Sequence, residues 1–545
     1  MRFSRGHSLR SSLFHCTFTT ALLVMIAACD DTIVPETSIE GSDPADTDAG
    51  ETGPAVLDAA QVCARLSGKT IAGATLTAEV VAENGAVPTY CKVTGRLAPA
   101  LNFQISLPDE WNQKLHYSGG GGYNGAVPGV AGTMLAALDK GYVTVASDSG
   151  HQASPVDASF ALDDTYAAQL FGSLSTPTVM STALEAVAAA YGVAPLKSYF
   201  EGCSNGGREA LMNVQRFPNL FDGVIARAPA YNWVGFMGAF NATAKALAAP
   251  DGAFTAAKTA ILARLVRDAC DDLDGVVDGV VSNQAACTPE EFVPASLRCP
   301  DGIDTGDTCL SDAQLAVVST WTNDAVFSGS PTFRNTGWSL SGNEDDPGAW
   351  ATWVTGNGTV TMAAQYLFQD TTVKNYLARD PSADSLVYTP WDQNQNALYA
   401  LAALNDATAV DLTSFVNSGA KLILWHGGND AALSKNSTAE YYENAVAAAG
   451  GQSAADAFMR FYIAPGVNHC AGGPGADATD LLAALDAWVM DGSAPDTLVA
   501  TKRAPMGGPV TFERPLCRYP EYPHYTGPAN DAAAANLASS YTCRQ

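Results

Sequence analysis

One serine lies in a sequence context typical of an activated nucleophile. The segment 202–206 reads GCSNG, which fits the pattern G-x-S-x-G, and it lies between a predicted strand at 198–201 and a predicted helix at 205–217. A sharp strand-to-helix turn exposes the serine hydroxyl and leaves no room for side chains two residues to either side. The context therefore predicts Ser204 as a nucleophile, and a serine in an ordinary glycine-rich turn is the alternative.

Ser204 needs a base and an acid, because a serine hydroxyl is a poor nucleophile near neutral pH. An imidazole takes its proton, and a carboxylate fixes the tautomer of that imidazole. In α/β-hydrolases the chain order is Ser, acid, His. His469 lies in a glycine-rich loop after an apolar run, and Asp430 follows a predicted strand at 421–426. We therefore predict Asp430 as the acid and His469 as the base.

The other histidines beyond residue 29 are expected to have other roles. His116, His151 and His426 lie beside predicted strand ends, where pocket lining or burial is the expected role. His524 lies in the terminal loop, where a structural role is expected.

Acyl transfer to a serine nucleophile also needs hydrogen-bond donors for the oxyanion of the tetrahedral intermediate. One donor is expected to be the backbone N–H of Asn205, the residue after the nucleophile. The second is expected from the glycine run 119–122, because consecutive glycines let the backbone approach a substrate closely. Gly121 and Gly122 are both candidates, and the sequence does not choose between them.

The cysteines indicate disulfides. Of twelve, Cys16 and Cys29 precede residue 30, within a segment that has the layout of an export signal. An even set of ten cysteines in an exported chain favours disulfides over metal ligation. Cys203 and Cys470 remain as a long-range pair, although spacing alone does not establish connectivity. A bond between them would hold nucleophile and base together. The close pairs are Cys63 with Cys91, Cys270 with Cys287, Cys299 with Cys309, and Cys517 with Cys543.

An acidic stretch suits a hard cation. The segment 271–280 reads DDLDGVVDGV and lies between Cys270 and Cys287. Carboxylates at intervals of three and four residues, with glycines that bend the chain, suit oxygen ligation of Ca²⁺, although the full EF-hand pattern is absent. A solvated acidic loop is the alternative.

An α/β fold would position these residues. Short β-branched and aromatic runs alternate with alanine-rich helical stretches, which predicts a largely parallel sheet with helices. Strands are predicted at 141–147 and 421–426, and helices at 177–191 and 480–490.

Between about 231 and 410 the composition becomes rich in Trp, Gly, Asn and Asp, and the hydrophobic periodicity is weak. This change indicates an inserted lid. Five segments are therefore predicted. They are an export signal with a lipoprotein-like cysteine at 1–29, an acidic disordered tether at 30–55, a first part of the core at 56–231, a lid domain with the calcium site at 232–409, and a second part of the core at 410–545.

The charge balance bears on partners. The 545 residues include 29 basic and 56 acidic side chains, a formal net charge of -27. Such a surface repels nucleic-acid phosphates, so no nucleic-acid partner is expected. A small molecule is the expected partner.

The first residues have the layout of an export signal. Arg2, Arg5 and Arg10 precede an apolar run at about 13–25, and the segment 26–29 reads IAAC. The last four residues resemble a bacterial lipoprotein signal, in which the cysteine becomes the lipidated first residue. We predict an exported protein, held at a cell surface or in the periplasm by a lipid on Cys29, and otherwise secreted after cleavage of an ordinary signal.

Cys203-Ser204, Asp430 and His469-Cys470 together resemble the CS-D-HC signature of the tannase and feruloyl esterase family. Further family-like segments occur in family order along nearly the whole mature chain. They are GCSNGGREA at 202–210, QRFPNLFDGVIARAPA at 215–230, 337–344, APGVNHCAGG at 464–473 and RPLCRYP at 514–520.

The resemblance implies an α/β-hydrolase core with a large inserted lid domain, a disulfide between Cys203 and Cys470, and a structural Ca²⁺ in the lid. It implies cleavage of esters of hydroxycinnamic, gallic or related aromatic acids, and in one branch of mono(2-hydroxyethyl) terephthalate. The implied calcium ligands are the carboxylates of Asp271, Asp274 and Asp278 and the backbone oxygens of Val276 and Val280.

Two positions depart from the family pattern, namely Asn205, where many relatives have Thr, and Arg227, where relatives usually have Gly. Substrate contacts are expected from lid aromatics, and Arg334 could pair with a substrate carboxylate, with a surface salt bridge as the alternative. The candidate aromatics are Trp338, Trp350, Trp353, Tyr366, Phe368 and Trp391. Two rival functions stay open, which are an esterase for aliphatic esters and a non-catalytic, surface-tethered protein that binds polyphenols or glycans.

Overall fold

A computed structural model describes residues 57–327, 333–389, 391 and 394–545. The predicted export signal, its Cys29 and the predicted tether lie outside the described residues. Within the described part of the chain, no helix is both long enough and apolar enough to cross a bilayer.

Within the described residues, the strands form one large sheet and four two-stranded sheets. Their bounds are β1 Thr70–Ile71, β2 Ala74–Thr75, β3 Thr77–Val81, β4 Tyr90–Leu97, β5 Leu101–Pro108, β6 Lys114–Ser118, β7 Val143–Ser147, β8 Lys197–Cys203, β9 Gly223–Arg227, β10 Ala325–Val326, β11 Arg334–Asn335, β12 Lys421–Gly427, β13 Met459–Ala464, β14 Leu498–Arg503, β15 Val510–Leu516, β16 Tyr522–Tyr525 and β17 Tyr541–Arg544.

The helices lie mainly between these strands and within one long insertion. Their bounds are α1 Ala59–Leu66, α2 Gly132–Asp139, α3 Phe160–Asp163, α4 Thr165–Gln169, α5 Ser175–Tyr191, α6 Asn205–Arg216, α7 Trp233–Ala248, α8 Ala256–Cys270, α9 Asp312–Thr322, α10 Ala364–Thr372, α11 Gln395–Asn405, α12 Thr413–Asn417, α13 Lys435–Ala448, α14 Gln452–Ala455, α15 Leu481–Asp491 and α16 Ala532–Ala535.

The large sheet has nine strands in the order β13-β12-β9-β8-β6-β7-β5-β4-β3. The six strands from β13 to β7 pair in parallel, and β5, β4 and β3 continue the sheet antiparallel. The predicted α/β fold class with a largely parallel sheet is confirmed.

Both faces of the sheet are covered, as a parallel sheet requires. Successive residues of β12 show this, since Leu422 and Leu424 belong to one apolar cluster and Ile423 and Trp425 to another on the opposite face. Because the parallel strands share a direction, their carboxyl ends meet at one edge, where loops collect.

The chain between Arg227 at the end of β9 and Lys421 at the start of β12 adds no described strand to the nine-stranded sheet. It holds α7 to α12 and the β10–β11 hairpin, and its helices supply most of a further apolar cluster with many aromatic side chains. The lid boundaries at 232–409 stay a prediction.

Five disulfides join the ten cysteines of the described residues in the pairs that spacing indicates. They include the long-range bond between Cys203 and Cys470. Five disulfides indicate a protein that folds in an oxidising, extracytoplasmic compartment.

Candidate active site

Ser204 stands at the turn between β8 and α6 with φ 64° and ψ -121°, a left-handed conformation that costs a non-glycine residue energy. A Cβ atom on Gly202 would come within 2.5 Å of the Gly206 backbone, and one on Gly206 within 2.7 Å of the Gly120 carbonyl oxygen. The turn therefore requires both glycines, and the structure has the strand-turn-helix that the sequence predicts.

The backbone of Ser204 is tied to the end of β9. Its N–H donates to the carbonyl oxygen of Arg227 at 3.0 Å, and its carbonyl oxygen accepts from the N–H of Ala230 at 3.0 Å. These bonds hold the turn in its strained conformation.

His469 and Asp430 form a hydrogen-bonded pair. His469 Nδ1 lies 2.7 Å from Asp430 Oδ2, and the Asp430 side chain is fully buried. The other oxygen, Oδ1, accepts from the N–H groups of Ala432 at 2.8 Å and Leu433 at 2.9 Å. A carboxylate fixed at both oxygens orients the imidazole through Nδ1, as a triad acid does.

A second histidine contacts the same carboxylate. His426 is fully buried, and its Nε2 lies 3.1 Å from Asp430 Oδ2 and 3.1 Å from the Leu433 carbonyl oxygen. Its Nδ1 lies 2.9 Å from the Thr438 hydroxyl. Because two acceptors face Nε2, that nitrogen carries the proton and donates, while Nδ1 accepts from Thr438.

The environment of Asp430 keeps it ionised. Burial opposes the charge, but the charge of His469 and the hydrogen bonds from His426 and His469 outweigh burial and hold the Asp430 pKa well below its ordinary value. The sequence placed His426 among strand-end histidines with a pocket-lining or buried role, and its contact with Asp430 was not predicted.

A disulfide links the loops that carry the predicted nucleophile and base. Cys203 and Cys470 are bonded with their Cα atoms 5.9 Å apart across 267 residues of sequence. Ser204 follows the first cysteine and His469 precedes the second. The bond thus joins β8 to the loop after β13 at the carboxyl edge of the sheet.

The second ring nitrogen of His469, Nε2, is buried and has no hydrogen-bond partner within the described residues. The ring of Trp353 packs edge-on against the imidazole with centroids 4.9 Å apart. Trp353 and Ser204 line the same cleft. Nε2 is therefore the ring nitrogen left to exchange a proton at this cleft.

The glycine run is anchored by a buried carboxylate. The N–H of Gly120 donates to Glu209 Oε2 at 3.0 Å, and the N–H of Asn124 donates to the Gly121 carbonyl oxygen at 2.8 Å. Gly122 has φ 56°, and a Cβ there would lie 2.3 Å from the Pro155 carbonyl oxygen, so the position requires glycine. Gly122 lines the cleft with Ser204 and Asn205, whereas Gly121 is not among the described residues that line it. This favours Gly122 over Gly121 as the second oxyanion donor.

The side chain of Asn205 points into a buried polar network. Its Nδ2 donates to Asn124 Oδ1 and Glu209 Oε1, each at 3.1 Å, and its Oδ1 accepts from Arg208 Nε at 2.7 Å. The departure from the family pattern at this position therefore supports the loop and leaves the Asn205 N–H at the cleft. The network joins residues distant in sequence, and no local sequence pattern indicates it.

Arg227, the other departure, is bonded to a buried acid. Its Nε donates to Glu201 Oε1 at 2.7 Å, and Glu201 Oε2 lies 3.3 Å from His116 Nε2. Burial opposes ionisation of Glu201, but the Arg227 charge and the His116 contact outweigh it and lower its pKa to about 2. The Arg227 carbonyl oxygen also accepts from the Ser204 N–H, so this cluster lies directly behind the nucleophile turn.

The cleft is lined almost entirely by apolar and aromatic side chains. Four come from α7, two from the helical segments around α10, and others from the turns that hold the predicted triad. The lining residues are Gly122, Ser204, Asn205, Ala230, Trp233, Phe236, Met237, Phe240, Trp353, Phe368, Ala432 and Leu433.

Two of the predicted substrate contacts, Trp338 and Arg334, are not among the described residues that line this cleft. Trp338 is buried, stacks on Trp321 with ring centroids 5.2 Å apart, and lines a separate small cavity beside Asp430. Arg334 is bonded to Asp324 and Glu440, each at 2.8 Å. Trp338 is held by aromatic packing and Arg334 by ion pairs, so neither side chain extends into the cleft lining.

The acidic loop after α8 has oxygen donors that suit calcium. The Asp271 Oδ1 atom is buried without a hydrogen-bond partner in the described residues. Burial raises the pKa of Asp271, and it raises that of Asp274 to about 7. A nearby cation would stabilise both carboxylates in the ionised form.

The same loop limits how a cation could be held. Across the described ranges, no three Asp, Glu, His or Cys side chains converge as one metal-binding group. Asp278 is bonded to Arg514 in this structure. Ligation would therefore depend on backbone oxygens, such as those predicted at Val276 and Val280, in addition to Asp271 and Asp274.

The family model described as tannase and feruloyl esterase matches residues 79–544. A mono(2-hydroxyethyl) terephthalate hydrolase from Piscinibacter sakaiensis is 32% identical over 526 residues, which cover 85% of this chain and 86% of the relative. A probable feruloyl esterase from Arthroderma benhamiae is 30% identical over 462 residues, which cover 81% of each chain.

Among solved structures, feruloyl esterase B from Aspergillus oryzae superposes with a TM-score of 0.75 at 23% sequence identity. The match covers 89% of this chain and 100% of the other. At this identity the likeness bears on the fold, and it supports the α/β-hydrolase architecture.

Proposed function

The chain belongs to the tannase and feruloyl esterase family and is a carboxylic ester hydrolase, and we propose that Ser204, His469 and Asp430 cleave esters of aromatic acids through an acyl-enzyme. The observation that carries this proposal is the arrangement at the carboxyl edge of the sheet. The strained turn places Ser204 at an aromatic cleft, a disulfide joins this turn to the histidine loop, and His469 bonds Asp430 and packs against Trp353 of the cleft lining.

In the first half-reaction, Ser204 Oγ attacks the ester carbonyl carbon while its proton passes to His469 Nε2. The bond between the carbonyl carbon and the alcohol oxygen then breaks, and His469 returns the proton to that oxygen. Asp430 stays ionised throughout and stabilises the imidazolium, which its depressed pKa favours. Water then attacks the carbonyl carbon of the acyl-enzyme while its proton passes to His469. The bond between this carbon and Ser204 Oγ breaks, His469 returns the proton to Ser204, and the aromatic acid is released.

The oxyanion of each tetrahedral intermediate needs fixed donors. The backbone N–H groups of Asn205 and Gly122 are the proposed pair, because both residues line the cleft beside Ser204. The Glu209 carboxylate fixes the loop that supplies the second donor through its bond to the Gly120 N–H.

The aromatic lining supports an aromatic acyl group. Trp233, Phe236, Phe240, Trp353 and Phe368 offer ring faces and edges that pack against a planar acid. Aliphatic esters are the alternative within hydrolases. A protein that only binds polyphenols or glycans is disfavoured, because a binding site needs neither the strained serine nor the buried acid-histidine pair.

Calcium is proposed as a structural ion in the loop after α8. Asp271 and Asp274 would supply carboxylate oxygens, Val276 and Val280 backbone oxygens, and Asp278 a further carboxylate on release from Arg514. The buried, unpartnered Asp271 Oδ1 supports the proposal. The ion would neutralise the loop and would take no part in ester cleavage.

Attachment is also a proposal. The predicted signal at 1–29 ends in the lipoprotein-like sequence IAAC, and the five disulfides are consistent with export. We propose that Cys29 carries the lipid and that 30–55 tethers the enzyme to the membrane surface.

Steady-state hydrolysis of methyl ferulate, methyl gallate and a short aliphatic methyl ester tests the substrate class. The proposal predicts a higher kcat/KM for at least one aromatic ester than for the aliphatic ester. Cleavage of the aliphatic ester alone would contradict the aromatic assignment and leave the esterase assignment standing.

A further inference from the structure

The cleft that contains Ser204 carries no charged side chain among the described residues that line it. Its side-chain polar groups are the Ser204 hydroxyl, the Asn205 amide and the indole N–H groups of Trp233 and Trp353, all neutral. The Asn205 amide is already bonded to Asn124, Glu209 and Arg208. Any charge on a bound acyl group would therefore meet apolar rings and neutral donors.

The Lys and Arg side chains described in the insertion between β9 and β12 all have other hydrogen-bond or ion-pair partners. Its eight Lys and Arg side chains each bond a carboxylate or a backbone carbonyl. Arg334 shows the pattern, since Asp324 and Glu440 hold it from two sides. The undescribed residues within the insertion, 328–332, 390 and 392–393, include no Lys or Arg.

Two buried cations follow lining residues in sequence, and both are engaged. Arg208 donates to the carbonyl oxygens of Phe171 and Gly172, each at 2.8 Å, and to Asn205. Lys435 bonds Asn436 Oδ1 at 2.9 Å and lines the separate cavity beside Asp430. Burial lowers the Lys435 pKa to about 8, which weakens it further as a fixed positive charge.

A carboxylate that enters an apolar cleft loses its favourable hydration free energy, and without a counter-charge no protein interaction compensates for that loss. The formal net charge of -27 adds long-range repulsion of an anionic substrate. A neutral aromatic acyl group suffers neither penalty and gains ring packing.

We propose that the acyl subsite of this esterase selects uncharged aromatic acyl groups and discriminates against those that carry a second carboxylate. The proposal rests on the proposed function and narrows its substrate class. It separates this chain from its relative named for mono(2-hydroxyethyl) terephthalate, an ester whose acyl ring bears a free carboxylate.

The test uses two substrates that differ only in charge. Mono(2-hydroxyethyl) terephthalate and 2-hydroxyethyl 4-carbamoylbenzoate share the ring, the scissile ester and the alcohol, and a neutral carboxamide replaces the carboxylate in the second. The expected kcat/KM of the carboxamide exceeds that of the carboxylate by about tenfold or more. Equal or faster turnover of the carboxylate would overturn the selectivity and leave the aromatic esterase assignment intact.

Turnover of neither compound, with a short aliphatic ester cleaved, would instead contradict the proposed function and this inference with it. A variant pair makes the selectivity test independent of folded yield. Phe368 is half-buried at the cleft, so Phe368→Lys should raise the carboxylate-to-carboxamide ratio of kcat/KM severalfold, while the neutral control Phe368→Gln should not. An unchanged ratio in Phe368→Lys would count against a charge-based preference.

Discussion

His426 Nε2 lies 3.1 Å from Asp430 Oδ2, and both side chains are fully buried. The same oxygen lies 2.7 Å from His469 Nδ1. The predicted triad acid therefore has two imidazole neighbours. Because both ring nitrogens of His426 are hydrogen-bonded, to Leu433 and Thr438, we propose that His426 positions Asp430 and takes no part in proton transfer.

Replacing His426 tests this role. His426→Leu removes a donor to a buried carboxylate and should lower kcat roughly 10- to 100-fold with little change in KM, because the acyl cleft is untouched. His426→Gln retains an amide donor near the position of Nε2 and should restore much of kcat. Steady-state kinetics with methyl ferulate measures both. A purely structural role would lower the melting temperature of both variants and leave the kcat of the folded protein unchanged.

The disulfide between Cys203 and Cys470 is expected to affect stability and catalysis together. The double variant Cys203→Ser/Cys470→Ser should lose about 4 kcal/mol of unfolding free energy, since the bond closes a long loop. It should also lose kcat, because the nucleophile and base are no longer held together. Urea unfolding and kinetics give the two readouts.

The matched control is Cys63→Ser/Cys91→Ser, which opens a 28-residue separation that does not include the predicted triad. This control should lose stability and keep the kcat of the folded fraction. Equal kcat losses in the two double variants would show that the active-site bond has no special effect on catalysis.

Glu201 should make the protein less stable in acid. Its pKa in the folded protein is about 2, below its ordinary value of 4.5. Its contribution is therefore complete above about pH 4.5 and is lost as the pH falls toward 2, at a total of roughly 3 kcal/mol. Urea unfolding of the wild type and Glu201→Gln at pH 7, 4 and 3 should show a difference that shrinks with falling pH. A constant difference would contradict the assignment.

Calcium removal should destabilise the loop after α8. With the ion gone, the buried Asp271 and Asp274 carboxylates lose their counter-charge, and chelation should lower the melting temperature by about 5 °C, with recovery on addition of Ca²⁺. Asp274→Asn should abolish the response to Ca²⁺ and retain ester turnover. A melting temperature that chelator and Ca²⁺ both leave unchanged would reject the calcium site.

Much of the framework of the site could be predicted from the sequence. The predicted strand at 198–201 is β8, the predicted helix at 205–217 is α6, and the predicted strand at 421–426 is β12. These elements combine clear apolar patterns with glycines at the turns, so local chemistry determines them. The turn around Ser204 was predictable because only glycine fits at the positions two residues before and two residues after it.

The surroundings of the triad could not be predicted, since they depend on packing between distant segments. Nothing near Arg334 in the sequence indicates its ion pair with Glu440, 106 residues later. The weak periodicity of the insertion likewise does not indicate which of the six candidate aromatic rings reach the cleft, where Trp353 and Phe368 are among the lining residues and Trp338 is not. The His426 contact had one usable signal, its position four residues before Asp430 across a Gly-Gly turn.

The central claim is that Ser204 is the nucleophile, and hydrolysis of methyl ferulate by Ser204→Ala tests it most directly. Ser198→Ala, in the same strand but away from the turn, is the matched control. We expect kcat/KM to fall by about 10³-fold or more in Ser204→Ala, to stay near wild type in Ser198→Ala, and the melting temperature to change little in either. Turnover retained by a folded Ser204→Ala would contradict the account.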